Sequence, residues 1–100
     1  MAEENKTALS AAQVDEALQT LAGWTRSEAV LARHFVFHTF EEMTAFLTHL
    51  VRTITVQNHH PDFNLNTGLK MISVALTTQS EQAITRADLE FARALSAWGG

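Results

Sequence analysis

Residues 39–63 read TFEEMTAFLTHLVRTITVQNHHPDF, and the reading of this stretch decides the fold. Met43, Phe46, Leu47, Leu50, Val51 and Ile54 recur at the three- and four-residue spacing of one apolar helix face. Thr39, with Glu42 three residues later, forms a capping signature at the start. Pro61, the only proline in the chain, disfavours helical geometry at the residue before it, so the helix is expected to end near His59 and His60. A long amphipathic helix in mid-chain must lay its stripe on another apolar layer.

The flanking sequence supplies that layer. Upstream, Ser10 and Gln13 form a capping box ahead of Val14, Ala17, Leu18, Leu21 and Ala22, and Gly23 closes that first helix. From Trp24 onward the pattern becomes an alternation. Leu31, Arg33, Phe35 and Phe37 fall on one face and Val30, Ala32, His34 and Val36 on the other, with a hairpin turn near residues 27–29. Leu31, Phe35 and Phe37 are the face expected to meet the core, and Trp24 is expected to anchor the first strand against a helix. Downstream, residues 63–66 and 69–78 read as a second hairpin about Asn66-Thr67-Gly68, with Ile72, Val74 and Leu76 inward. Thr85 and Asp88 then cap a last helix on which Leu89, Ala92, Leu95 and Trp98 share a face. The order α-β-β-α-β-β-α predicts an α+β fold, a four-stranded antiparallel sheet with three helices on one face, as a single domain over residues 1–100. Its open sheet edges predict self-association into a homodimer or a higher oligomer.

Composition removes several classes of function. Eleven acidic residues against seven Lys and Arg, with no basic cluster, argue against nucleic-acid binding. The absence of cysteine excludes disulfides, a thiolate nucleophile and thiolate metal ligands. The polar start MAEENKTALS lacks the pattern of a secretion signal, and no apolar run is long enough to cross a bilayer, so a cytoplasmic protein without a membrane partner is expected.

His59 and His60 have two readings. At a helix C-terminus the unpaired carbonyls and the dipole favour a hydrogen-bonding or charged imidazole, which would make the pair structural. An imidazole titrating near neutrality is equally suited to general acid/base chemistry. Adjacency alone does not separate the two. A metal site is not expected: neighbouring side chains diverge, His34 and His38 share a face only if their strand extends that far, and His49 is expected on the polar side of its helix.

Taken in order, LAGW (21–24), LARHFVF (31–37), TFEEMTAF (39–46), NHHPDF (58–63), ISVALTT (72–78) and ITRADLEFA (84–92) resemble the pterin-4a-carbinolamine dehydratases over nearly the whole chain. The resemblance implies a saddle-like sheet assembled as dimers or tetramers, with no metal or organic cofactor. It also implies loss of water from a 4a-hydroxytetrahydropterin to give a quinonoid dihydropterin, with histidines moving protons. His59 and His60 match the family's catalytic pair. His59, His60, Pro61, Asp62 and Gln79 match positions of its pterin-binding site, and Asp88 matches its acidic helix cap.

The chain departs from the family's pattern at three site positions and in the loop beside them: the aromatic residue usual in the second hairpin is absent, and the segment from Pro61 to the strand end is about two residues longer than is typical. Gln79 stands where the family has its third active-site histidine, and Thr55 stands where an acidic residue is usual, four before the pair. Glutamine exchanges hydrogen bonds but no proton at neutral pH. The expectation is therefore a dehydratase-like protein with a degraded site that acts as a protein-binding or assembly factor. The resemblance extends to the branch of Rubisco assembly factors in α-carboxysome bacteria, which makes Rubisco the partner it implies. The alternative is an active dehydratase that uses His59 and His60 for proton transfer.

Overall fold

The structure is a computed structural model and describes residues 5–98. Its elements are α1 (Ala11–Leu18), β1 (Thr25–Ser27), β2 (Val30–Val36), α2 (Phe40–Gln57), β3 (Asp62–Asn66), β4 (Met71–Leu76), a 3-10 turn (Gln79–Glu81) and α3 (Arg86–Ser96). The four strands form one antiparallel sheet in the order β1-β2-β4-β3. Leu31 pairs with Leu76 and Phe35 with Ile72, so that strand pairing places the buried residues of the two central strands on one sheet face. Met43, Phe46 and Leu50 of α2 and Leu89, Phe91, Ala92 and Leu95 of α3 complete a single core cluster over that face. The other face carries His34 and Val36 into solvent.

Most expected elements are present, with local differences. α1 ends at Leu18, a turn before the apolar pattern does. The amides of Thr20 and Leu21 reach carbonyls three residues back, which tightens the chain out of α geometry while keeping Leu21 buried and leaving Ala22 exposed. Gly23 follows with φ of 88°, a left-handed conformation that favours glycine, and the Arg33 side chain lies close against it. In the second hairpin the left-handed residue is Lys70 (φ 53°), not Gly68. Asn66 Oδ1 accepts the Leu69 amide and takes over part of the turn's hydrogen bonding.

Two side chains of α2 lie elsewhere than expected. Val51 is half-exposed, because the buried stripe runs through Met43, Phe46, Leu50 and Thr53 and leaves Val51 on the flank with Leu47. His49 faces inward: its Nε2 lies 3.1 Å from the Leu95 carbonyl, and its ring packs edge-on against Phe46, which ties α2 to α3. Trp24 is buried as expected. Its ring stands edge-on to Phe35, and Nε1 donates to Ser96 Oγ at 2.7 Å, joining the start of the sheet to the end of α3. Residues 5–9 run along the start of α3, where the carbonyls of Asn5 and Thr7 accept the Ala87 and Arg86 amides. Those amides would otherwise be left over at the helix N-terminus.

Candidate functional site

The end of α2 separates the two histidines. Asn58 caps the helix in a left-handed conformation (φ 52°), which an asparagine adopts at lower cost than most side chains. The chain then turns so that His59 is buried, at 4% exposure, while His60 is exposed.

His59 is held by a carboxylate. Its Nε2 lies 2.5 Å from Asp88 Oδ1, and Asp88 is itself fully buried. Asp88 Oδ2 accepts the Thr78 hydroxyl and the Thr85 amide, each at 2.9 Å, the second bond being half of the α3 capping box. Thr78 and Thr85 share a further hydroxyl contact of 2.7 Å. One carboxylate thus links the end of α2, the end of β4 and the start of α3 in a network whose buried polar atoms are all partnered. The carboxylate fixes the imidazole with a proton on Nε2, a positioning arrangement in which that nitrogen is not presented to solvent.

A cleft of about 270 Å³ lies beside this network, lined by Lys6, His59, His60, Thr77, Thr78, Gln79 and Ser80. His60 has no hydrogen-bond partner among the described residues and is the exposed imidazole of the cleft, with Gln79 among its walls. Gln79 opens the 3-10 turn that follows β4, so its amide can bind a ligand but cannot relay a proton. The structure brings His59, His60 and Gln79 together. It places Thr55 elsewhere: the Thr55 hydroxyl donates to the Val51 carbonyl, and its side chain lines a separate groove along α2 with Leu47, Val51 and Val56. Pro61 is partly buried, and Asp62 is exposed at the start of β3 opposite Ala75. Neither lines the cleft. Lys6 and Ser80 are cleft residues that no motif signalled, because both are brought in by chain packing. Among the described residues no three His, Asp or Glu side chains converge as a metal centre would require. His34 bonds Ser73 on the open sheet face, and His38 lies beyond the end of β2.

The family model described as pterin 4 alpha carbinolamine dehydratase matches residues 7–98. A Rhodopseudomonas palustris (strain HaA2) protein named for that dehydratase is 34% identical over 94 residues, covering 92% of this chain and 91% of its own. A Mycobacterium sp. (strain JLS) protein of the same name is 35% identical over 81 residues, 81% of this chain and 84% of its own. The crystal structure of a transcriptional coactivator/pterin dehydratase from Brucella melitensis superposes with a TM-score of 0.85 at 27% identity, over 94% of this chain and all of that one. A pterin dehydratase-like protein identified as a RuBisCO assembly factor in the alpha-carboxysome superposes with a TM-score of 0.61 at 21% identity, over 74% of this chain and 83% of that one. That last similarity is one of fold.

Proposed function

The chain belongs to the pterin 4 alpha carbinolamine dehydratase family, and from that premise we propose that it is a dehydratase-like protein whose cleft has lost proton-transfer capacity and which acts by binding a protein partner. The observation that carries this reading is Gln79 in the wall of the cleft, at the position where the family has a histidine. Elimination of water from a carbinolamine needs a proton delivered to the departing hydroxyl and another removed from the ring nitrogen. With His59 buried in a structural bond and Gln79 in place of a titratable group, His60 is the one solvent-facing imidazole in the cleft. Gln79, Thr77 and Ser80 can still hold a pterin by hydrogen bonds.

The protein would work in the cytoplasm as a homodimer or larger assembly. Support comes from β3, an edge strand on which Phe63 and Leu65 remain 40% and 44% exposed, and from the apolar groove along α2. Rubisco is the partner to test first, since a neighbour of the same fold is an assembly factor for it. Co-expression with the large and small subunits of an α-carboxysomal Rubisco tests the proposal. A higher yield of assembled Rubisco supports it, and an unchanged yield with no complex formed overturns that partner.

A second reading keeps the family's chemistry. The names of the relatives fit a dehydratase that uses the His59/His60 pair for proton transfer. The rate of 4a-carbinolamine dehydration by the purified protein separates the two.

A further inference from the structure

A groove of about 290 Å³ between β2 and the end of α3 shares no lining residue with the cleft, and Arg33, Glu42, Ser96 and Trp98 are among its walls. Arg33 enters it from the helix-facing side of β2. Its Nε and Cδ lie against Gly23 and its guanidinium stands 4.2 Å from the centre of the Phe35 ring, which leaves the Nη end for the groove. No carboxylate meets it there: Arg33 forms no ion pair among the described residues. Partial burial lowers its pKa from the ordinary arginine value, as removing a cation from water without a counter-ion must.

Ser96 adds a second donor. Its Oγ accepts the Trp24 indole N–H at 2.7 Å and faces Arg33 Nη1 at 3.4 Å. A hydroxyl oxygen has two lone pairs and one proton. With two N–H groups on its lone-pair side, the Ser96 O–H is turned away from both, and it meets no acceptor among the described residues. A guanidinium without a counter-ion and a hydroxyl without an acceptor thus stand side by side, both partly buried. Glu42, whose Oε1 accepts the Thr39 hydroxyl at 3.3 Å, lines the same groove and disfavours a ligand of more than one negative charge.

We propose that this groove binds a small monocarboxylate, its two oxygens accepting from the Arg33 guanidinium and from the Ser96 hydroxyl. A planar carboxylate matches two donors set side by side, and its bonds to them are charge-assisted. The bond that Ser96 accepts from Trp24 polarises its O–H toward the ligand. The ligand would also supply the counter-ion that the partly desolvated guanidinium lacks.

The test titrates the whole chain, labelled with 15N, with benzoate and with benzamide, its neutral isostere. Benzoate should shift the Arg33 Nε–H and Trp24 indole N–H signals saturably, the second because Trp24 shares the Ser96 oxygen, and benzamide should bind at least about tenfold more weakly. Arg33→Gln should abolish that preference. Glu42→Gln keeps the shape of the groove and should tighten benzoate binding about twofold or more, a readout that stands even if Arg33→Gln does not fold. The proposal is overturned if neither signal moves at tens of millimolar benzoate, if benzamide binds as well, if a folded Arg33→Gln retains the preference, or if Glu42→Gln leaves the affinity unchanged. Signals that shift on dilution of the protein but not with benzoate would mean that a carboxylate of a second copy fills the groove, and would overturn it too.

Discussion

His59 Nε2 and Asp88 Oδ1 stand 2.5 Å apart with both side chains buried, so one member of the paired histidines belongs to the framework of the fold. Removing one partner of a buried, hydrogen-bonded pair strands the other, and Asp88 also caps α3. Asp88→Ala should therefore cost about 3 kcal/mol or more of unfolding free energy, read from urea denaturation. An unchanged denaturation midpoint would show that His59 has another route to satisfaction.

Trp24 gives a second stability test. Its burial, its edge contact with Phe35 and its bond to Ser96 predict that Trp24→Ala costs about 3–5 kcal/mol and unfolds a large share of the chain at physiological temperature. Trp24→Phe keeps the ring contact and loses the hydrogen bond, and should cost markedly less. Equal losses in the two variants would place the indole nitrogen, not the ring, at the centre of the anchor.

The histidine pair also shows how far the sequence could be read. The capping boxes at Ser10 and Thr85, the α2 stripe and the two strand alternations were legible because each is a local pattern with a fixed period. What the pattern could not express was direction at a helix end: Asn58 adopts a left-handed conformation, and that one torsion sends His59 inward and His60 outward. Long-range partners were equally hidden. Asp88 was visible as a cap, but its second oxygen meets an imidazole 29 residues away, and Lys6 reaches the cleft from the start of the chain. Thr55 was matched to the site by its position before the pair, yet one turn of helix puts it in another groove. The spacing of α2 assigns His49 to the polar side of the helix, and the Leu95 carbonyl that holds it inward is distant in sequence.

On the surface, Arg26 donates two hydrogen bonds to Asp15, from Nε at 2.8 Å and Nη2 at 3.0 Å. The hydrogen bond and then the charge of Arg26 hold the Asp15 carboxyl below its ordinary pKa. A depressed carboxyl contributes stability above its unfolded-state pKa and loses that contribution as pH falls through the folded-state value. In an NMR titration Asp15 should protonate below the usual aspartate range and return to it in Arg26→Gln. An identical midpoint in both proteins would show that the pair does not persist in solution.

The exposed apolar residues of β3 and α2 lead to the expectation of self-association. Light scattering at micromolar concentration should report at least a dimer, and Phe63→Asp or Val51→Glu should reduce its mass without unfolding the chain, because both side chains are exposed in the single chain. An 11.1 kDa species across that range would contradict it.

Whether the cleft has lost efficient acid/base chemistry is tested most directly by the rate of 4a-carbinolamine dehydration by the purified protein. A working general acid or base contributes about 10²–10⁴-fold. The account predicts a wild-type rate far below that of an authentic dehydratase, a change of less than about tenfold on His60→Ala, and a rise on Gln79→His, with Thr55→Glu adding little because Thr55 does not line the cleft. A wild-type rate equal to that of an authentic dehydratase, abolished by His60→Ala, would contradict it.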